Sequence, residues 1–289
     1  MPPRGFLRRP VLGLAMGGGG ARGLAHIGVL KVFEREGVAV DLMAGTSMGG
    51  IVAALYASGL SAEALETEAL RMTRLGEIVR LIDWALPRRS LLTWQAVSNY
   101  LSQWISGEAT FEGLSIPIAL TAVDVQCGVE VVLTRGPLLP AVEATMALPG
   151  ILEPVELEGM ELIDGGVLNN VPADIVRRMG AEVVIAIDVS VNVHDPDAWE
   201  KGGLPGVVRD MWRADTITIA ALTEAKLRQA EPEILLRPEL PAEITTMTGF
   251  SRAEEVIAAG EVAALQALAR MKRALRPSLR LPWHRRAVD

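Results

Sequence analysis

Residues 10–50 read PVLGLAMGGGGARGLAHIGVLKVFEREGVAVDLMAGTSMGG, and this stretch alternates apolar runs with glycines in a way that indicates its fold. The apolar run 10–16 predicts a buried strand, and the helical spacing of apolar residues over 23–37 predicts a helix. A second strand is predicted over 38–44, and a small-residue buried helix over 49–58. A strand–helix–strand–helix order is typical of a parallel sheet flanked by helices.

The rest of the chain extends this pattern. Apolar and β-branched runs predict strands at 116–123, 129–134, 160–163 and 182–189. The later sequence is mainly helical, most clearly over 252–275, where Gly260 is the one expected interruption. We therefore expect an α/β fold, arranged as three layers (α/β/α) with a mostly parallel central sheet.

Composition limits the classes of protein to consider. Half of the residues are hydrophobic and 22% are charged, which predicts a sizeable buried core. Cys127 is the only cysteine, which excludes an intramolecular disulfide and a cysteine-based zinc cluster. The net charge of −7 disfavours a nucleic-acid partner. The apolar run 11–16 is too short for a signal peptide, and no run approaches the ~20 residues that span a bilayer. These features predict a cytoplasmic protein.

Two segments leave peripheral contact with a membrane surface open. Residues 271–289 hold six lysines and arginines against one aspartate, a pattern suited to anionic lipid, although a solvated, frayed C-terminus is the favoured interpretation. Residues 82–110 hold Trp84, Trp94 and Trp104, for which packing is the default role and a lid or an acyl-binding wall the alternative. The sequence predicts no particular oligomeric state.

The segment GTSMG at 45–49 matches the pattern G-x-S-x-G. A strand must turn sharply into a helix for such a serine to stand free, and Gly45 and Gly49 allow the strained backbone and the close approach of the helix. Since an apolar strand precedes it and a small-residue helix follows, Ser47 is a candidate nucleophile. An ordinary tight turn is the alternative interpretation.

The segment GGGGARG at 17–23 also joins a predicted strand to a helix. Its backbone N–H groups at a helix N-terminus suit an anion, either a phosphate or the oxyanion of an acyl-transfer intermediate. Gly18, Gly20 and Gly23 also spell G-x-G-x-x-G, and Asp41 lies near the spacing of a ribose-binding acid. A Rossmann-type nucleotide-binding enzyme is therefore a rival hypothesis.

The segment Asp164-Gly165-Gly166 follows a predicted strand and is expected to present a carboxylate at the same sheet edge as Ser47. A desolvated carboxylate within hydrogen-bond reach of a serine hydroxyl can act as its general base. A simple turn aspartate is the alternative.

The histidines favour a Ser–Asp dyad over a triad. His26 lies beside apolar helix positions and is expected to be packed, His284 lies in the basic tail, and His194 has no loop that places it near the serine. No histidine therefore has a convincing catalytic position.

Together these motifs resemble the patatin-like phospholipase family, and its bacterial branch in particular. That family combines a glycine-rich oxyanion loop, a G-x-S-x-G elbow and a D-G-[AG] motif in this order. The resemblance covers most of residues 10–275 and includes ARGLAHIGVL, AGTSMGGIVAALYASG, MALPGILEPVE, LIDGGVLNNVPADIVRRMGAEVVIAIDVS and FSRAEEVIAAG. It implies a serine-dependent lipid acyl hydrolase that acts on a lipid or fatty acyl ester through an acyl-enzyme.

The resemblance also implies roles for individual residues. Ser47 matches the nucleophile and Asp164 the base, while Arg22 matches the basic residue that closes the loop, either by holding it or by meeting a lipid phosphate. The backbone amides that match the oxyanion hole are those of Gly18, Gly19 and Gly20, and Arg22 is grouped with them as an oxyanion-hole residue. The glycines that support the motifs are Gly23, Gly45, Gly49, Gly165 and Gly166. No cofactor and no metal are implied.

The expected organisation is a single patatin-like domain over residues 1–289. Its catalytic core is placed at about 10–200, a mainly helical part at 205–276 is packed on that core, and a basic tail follows at 277–289. The stretch 195–206, with its Asp-Pro, Gly-Gly and Pro-Gly pairs, is expected to be a mobile loop. A regulatory or adaptor protein on the same fold, with weak or no turnover, is the second alternative.

Overall fold

The computed structural model describes residues 7–74, 94–195, 199, 206–246 and 249–279. Among these residues, eight strands form one central sheet. They are β2 (Leu12–Met16), β3 (Leu42–Gly45), β4 (Ile118–Asp124), β5 (Val129–Leu133), β6 (Val155–Leu157), β7 (Met160–Asp164), β8 (Val183–Ile187) and β9 (Ile234–Leu236). The short strands β1 (Leu7–Arg8) and β10 (Ser278–Leu279) pair separately.

The sheet has the order β6-β7-β4-β3-β2-β8-β9, with β5 also paired to β4. Strands β4, β3, β2, β8 and β9 run parallel, whereas β5 and β7 are antiparallel to β4, and β6 is antiparallel to β7. The predicted α/β class is confirmed. The sheet is parallel at its centre and antiparallel at one side, where tight turns join β4 to β5 and β6 to β7 as antiparallel pairs.

The described helices lie on both faces of the sheet. They are α1 (Ala25–Arg35), α2 (Met48–Ala57), α3 (Ala62–Arg74), α4 (Trp94–Leu101), α5 (Leu138–Thr145), α6 (Gly166–Asn169), α7 (Ala173–Arg178), α8 (Gly206–Ala230) and α9 (Ala253–Ala274). Leu14 and Met16 point into the core cluster that holds α1, α2 and α9. Ala15 and Ala44 point to the opposite cluster, which holds α7 and Leu227 of α8. This alternation along each strand gives the three layers.

Glycines set the packing of α1 against α9. A Cβ atom on Gly28 would lie 1.9 Å from the carbonyl oxygen of Ile257, and one on Gly260 would lie 1.9 Å from that of Ala25. The expected interruption at Gly260 is wrong, because α9 passes through this residue without a break. Gly260 instead lets two helix backbones touch.

Several predicted features fall partly or wholly outside the described residues. These are Trp84, most of the loop at 195–206 and all but the first residues of the basic tail at 277–289. Trp94 is described, and its Nε1–H donates to the carbonyl of Glu153 at 2.9 Å. No described helix is both long and apolar enough to span a bilayer.

Candidate active site

One edge of β4 brings two distant strand ends together. β3 pairs in parallel with residues 118–120 of β4, and β7 pairs antiparallel with residues 122–124. β5 covers residues 120–124, so it occupies the opposite edge, because each residue of a strand has only two sides for pairing. The carboxyl ends of β3 and β7 therefore meet head to head near Thr121. Ser47 follows the first of these ends, and Asp164 forms the second.

The turn at Ser47 has the strained geometry that its sequence predicts. Ser47 has φ 54° and ψ −127°, and α2 begins at the next residue. A Cβ atom on Gly49 would lie 2.2 Å from the carbonyl oxygen of Met16, and one on Gly45 would lie 2.6 Å from Cα of Gly50. The two glycines let α2 start directly against the strands, and Ser47 lines a cavity at this point.

The Asp164 carboxylate is buried, with 3% of the residue exposed. It forms a hydrogen bond with the Ser47 side chain, and Oδ1 accepts a second one from the Gly166 N–H at 2.7 Å. Burial raises the pKa of Asp164 to about 6. The two hydrogen bonds act in the opposite direction and lower this pKa, whereas the negative charge of Asp215 raises it further. The carboxylate is thus ionised at neutral pH, yet it is more basic than an ordinary aspartate.

The two glycines after Asp164 lie in confined surroundings. A Cβ atom on Gly165 would lie 2.2 Å from Oγ1 of Thr121, and one on Gly166 would lie 3.1 Å from the Asp164 carboxylate. A larger residue at Gly165 would displace β4, and one at Gly166 would press on the Asn170 side chain and on the carboxylate. The D-G-G motif therefore fixes where the carboxylate lies.

The glycine-rich loop lies beside Ser47. Gly18 is so close that a Cβ atom there would lie 3.0 Å from the Cβ of Ser47. The Gly18 N–H donates to the carbonyl of Asn170 at 3.0 Å, so this amide is already engaged. Gly20 has φ 53°, in the left-handed region that favours glycine. None of the described residues accepts a hydrogen bond from the amide of Gly19 or Gly20.

Arg22 anchors the glycine-rich loop to neighbouring segments of the chain. Its buried guanidinium donates to three carbonyl oxygens, with Nε to Val189 at 2.7 Å, Nη1 to Ile244 at 2.8 Å and Nη2 to Ser190 at 3.1 Å. Burial lowers the pKa of Arg22 to about 10, which still leaves it charged. Of the two roles that the sequence left open, the contacts are those of a residue that holds the loop. The Arg22 guanidinium and the Gly18 N–H thus donate their hydrogen bonds to carbonyl oxygens of the protein and not toward a bound oxyanion.

His26 has a structural position. The residue is fully buried, and its Nε2 lies 2.7 Å from the carbonyl oxygen of Gly17. Burial lowers the pKa of His26 to about 4, so the ring is neutral and donates its Nε2 proton to this carbonyl. The expected packed role agrees with this burial. His194 is exposed and does not line the cavity that holds Ser47, and His284 lies outside the described residues.

The nucleotide-binding hypothesis is contradicted by the position of Asp41. The glycine loop follows the carboxyl end of β2, whereas Asp41 precedes the amino end of the parallel strand β3. Its carboxylate pairs with Arg9 at 2.6 Å and accepts from the Leu12 N–H at 2.7 Å. A ribose-binding acid must lie at the carboxyl edge, beside the phosphate loop. Asp41 therefore belongs to the fold.

A cavity of about 340 Å³ opens beside the two strand ends. Ser47, Asp164 and the glycines Gly18 to Gly20 line its polar end. Its apolar wall follows α2 through Met48, Ile51, Val52 and Leu55, a spacing that keeps one helix face against the cavity for about 10 Å. The wall continues on α3, α4, α8 and the 148–152 segment.

Several contributors to the site carry no sequence signal. Thr145 accepts a hydrogen bond from the Ser47 N–H at 3.0 Å, and Asn170 holds the loop through its backbone and side chain. Asp215 lines the cavity from α8. Thr145 and Asp215 lie outside the recognised motifs, and Asn170 lies within a family-like stretch in which only its contacts single it out. Among the described residues, no group of three or more His, Cys, Asp or Glu side chains is arranged to hold a metal ion.

Sequence comparisons relate the chain to proteins of several organisms. It is 41% identical over 184 residues to patatin-like phospholipase domain-containing protein 6 of Mus musculus, a match covering 62% of this chain and 13% of that protein. It is 34% identical over 187 residues to an uncharacterised NTE family protein of Mycobacterium bovis, covering 65% of this chain and 51% of that one. The chain thus spans only a minor part of the mammalian relatives and about half of the mycobacterial one.

Comparison with solved structures supports the fold. The structure of VipD from Legionella pneumophila matches with a TM-score of 0.51 at 12% identity, covering 92% of this chain and 68% of that one. At this identity the likeness shows the fold alone. The family model for patatin-like phospholipase matches residues 14–177, which is more than half of the chain and includes the glycine loop, the elbow and the D-G-G motif. On this match, the chain belongs to the patatin-like phospholipase family.

Proposed function

We propose that the protein is a serine-dependent lipid acyl hydrolase that cleaves fatty acyl esters with a Ser47–Asp164 dyad. The observation that carries the proposal is the hydrogen bond between the Ser47 side chain and a buried carboxylate whose pKa is raised to about 6. A general base works best when its pKa lies near the operating pH, because it is then both ionised and basic. The apolar cavity next to it offers room for an acyl chain.

The reaction divides into two steps at Ser47. In the first, Asp164 removes the hydroxyl proton as the serine oxygen attacks the ester carbonyl, and the protonated carboxyl then gives this proton to the departing alcohol. The product is an acyl-serine. In the second, Asp164 removes a proton from water, which attacks the acyl-serine, and the proton returns to Ser47 as the fatty acid leaves. The base is regenerated without a histidine.

The oxyanion of each tetrahedral intermediate is assigned to the amides of Gly19 and Gly20. Two donors expected from the sequence are left out, because the Gly18 amide and the Arg22 guanidinium are engaged with carbonyl oxygens. Gly18 still contributes by lying against Ser47 where no side chain fits. A well-placed oxyanion donor lowers a barrier by about 3–4 kcal/mol.

The acyl chain is assigned to the apolar wall along α2. Ile51, Val52 and Leu55 present one continuous face to the cavity, starting one turn after the nucleophile. Burial of each methylene against such a wall stabilises the complex by about 0.8 kcal/mol. We therefore expect kcat/KM to rise with acyl length until the wall ends.

The test is hydrolysis of p-nitrophenyl esters of increasing chain length by the purified protein. Ser47→Ala is expected to abolish turnover, and Ser58→Ala, at the far end of the same helix and outside the cavity lining, is the matched control. A fluorophosphonate ester should label Ser47 covalently, as located by peptide mass spectrometry.

Three results would count against the proposal. Activity that survives Ser47→Ala would place the nucleophile elsewhere. Loss of activity in His194→Ala as severe as in Ser47→Ala would replace the dyad with a triad. Absence of both turnover and labelling in a folded protein would favour the regulatory or adaptor alternative.

A further inference from the structure

The long helix α8 is buried unevenly. It has 25 residues and is thus about 37 Å long. Its carboxyl-terminal half contacts the protein core, where Thr223 and Leu227 are buried. Its amino-terminal half leaves apolar side chains in solvent, with 68% of Val207 and 70% of Met211 exposed. Several such side chains along one helix face form a candidate interaction surface.

The amino-terminal half of α8 also forms part of the cavity wall. Trp212, Asp215, Thr216 and Ile219 line the cavity that holds Ser47. Asp215 is an exposed residue as well as a lining residue, so the cavity reaches the protein surface at this helix. One face of the helix thus borders the cavity mouth.

A different face of the same helix turns outward. Val207, Met211 and Ala214 follow at spacings of four and three residues, which places them in one line along the helix, and all three are exposed. Ile217, 49% exposed, lies one turn further and slightly to the side. We call Val207, Met211, Ala214 and Ile217 the outer face of α8. Asp210, three residues after Val207 and four before Ala214, lies on the same face and pairs with Arg209 at 3.6 Å. The outer face runs alongside the mouth of the cavity.

We propose that the outer face of α8 docks the cavity mouth on the surface of an uncharged, zwitterionic lipid bilayer. This inference rests on the proposed function, since a bilayer is where long-chain acyl esters reside. An apolar helix face at the mouth would enter the boundary between headgroups and acyl chains, so that a substrate chain passes from the bilayer into the cavity without crossing water.

Charge selects the kind of surface. The first half of α8 carries Arg209 and Arg213 against Asp210 and Asp215, so its charges balance, and the whole chain has a net charge of −7. An anionic surface would find no basic patch on this face. Docking by this face is therefore driven by apolar burial and is insensitive to salt.

The binding test uses Ser47→Ala protein, which separates docking from turnover. In that background, Val207→Ser/Met211→Ser is compared with Val262→Ser/Leu265→Ser. The control pair lies on α9, is similarly apolar and 52% and 45% exposed, and does not line the cavity. In sedimentation with phosphatidylcholine vesicles, the α8 pair is expected to weaken binding at least tenfold, and the α9 pair less than twofold. Raising the salt concentration should change neither result.

Three outcomes would overturn the proposal. One is equal binding by all three proteins, and another is equal loss in both double variants. The third is no vesicle binding, together with a concentration-dependent dimer in light scattering that the α8 pair abolishes. In that case the outer face would be an interface between two copies of the chain.

Activity measurements keep this inference distinct from the proposed function. With Ser47 intact, the α8 pair should hydrolyse p-nitrophenyl butyrate at the normal rate, because neither residue lines the cavity. Its rate on phosphatidylcholine vesicles should fall at least tenfold. If the wild type hydrolyses no ester, the proposed function fails, but vesicle binding by the Ser47→Ala proteins still decides the docking question. An equal fall on both substrates would contradict a docking role.

Discussion

The two ends of the central sheet use the same residue type in opposite ways. At the amino end, the Asp41 carboxylate forms a two-pronged pair with Arg9, at 2.6 and 2.7 Å, and 30% of its side chain is exposed. At the carboxyl end, Asp164 is almost fully buried with no described cation paired to it, and it shares its hydrogen bonds between a serine and a backbone amide. The charge of Asp41 is balanced by a cation, whereas burial makes the Asp164 carboxylate more basic than an ordinary aspartate.

The glycines at the two ends of the sheet also have different structural roles. Gly37, where α1 ends near the amino edge, has φ 66°, and a Cβ atom on it would meet nothing within 4 Å. A Cβ atom on Gly49, at the carboxyl edge, would lie 2.2 Å from the backbone of Met16. Gly37 serves a turn, whereas Gly49 serves close packing around Ser47. The carboxyl end therefore gives up stability to hold a strained serine and an unpaired carboxylate in place.

Exchange of each aspartate for its amide should produce the greatest contrast between the two ends. Asp164→Asn should lower kcat on p-nitrophenyl esters by roughly 10⁴-fold, the size of loss seen when a catalytic carboxylate becomes an amide. Asp41→Asn, which makes the same chemical change at the other end, should leave kcat within a factor of two. Comparable losses in both variants would remove the distinction and suggest that folding, not proton transfer, is affected.

The second prediction concerns stability. Asp164→Asn, which should lower kcat, should raise the free energy of unfolding. The pKa of Asp164 is about 6 in the folded protein and 3.8 in a model peptide, so folding favours the protonated form. Its contribution to stability is present below pH 4 and is lost as the pH rises through 6. Asp164→Asn should therefore raise the free energy of unfolding at pH 8 by up to about 3 kcal/mol, and by little at pH 4. Denaturant unfolding at the two pH values measures this.

The same measurement on Asp41→Asn supplies the contrast. Loss of its partly exposed ion pair should lower stability by about 1 kcal/mol or less at pH 8. If Asp164→Asn were also destabilising at pH 8, burial of the carboxylate would not be the cause of its raised pKa.

The third prediction compares the glycines. Gly49→Ala should destabilise the protein by about 1–3 kcal/mol, because its Cβ would force α2 away from the strands. It should also lower activity, since Ser47 would move with the helix. Gly37→Ala should cost about 1 kcal/mol through its positive φ alone and leave the specific activity unchanged. Thermal unfolding and ester hydrolysis on the pair check this, and unchanged activity in Gly49→Ala would contradict the role assigned to close packing.

A modest change is expected in the pH profile. Activity should decline tenfold per pH unit below about 6, as Asp164 becomes protonated. The charge of Asp215 raises the pKa of Asp164, so Asp215→Asn should move this acidic limb to lower pH with little change in the plateau rate. Glu224→Gln, further along α8 and paired with Arg237, is the control and should leave the limb in place. A limb that shifts upward in Asp215→Asn would reverse the assigned electrostatic effect.

Much of the fold could be predicted because its signals are local. The strands and helices from Leu12 to Ala57 follow from apolar runs, helical spacing and glycine punctuation, and each is found within a few residues of its expected position. The antiparallel side of the sheet was not predicted, because strand direction depends on which neighbours pair. Gly260 was misjudged for a related reason, since its role depends on contact with Ala25 in α1.

The amino-acid sequence alone was enough to identify the family, the motif residues Ser47 and Asp164, and the glycines that their turns require, because backbone strain and close packing restrict residue type at each position. The tertiary contacts of these residues are determined only by the folded chain. Folding places the ends of β3 and β7 on one edge of β4, engages the Gly18 amide and Arg22 with carbonyl oxygens, and separates Asp41 from the glycine loop. The physical reason is that pairing, burial and electrostatic environment arise between segments far apart in the chain, where no local pattern records them.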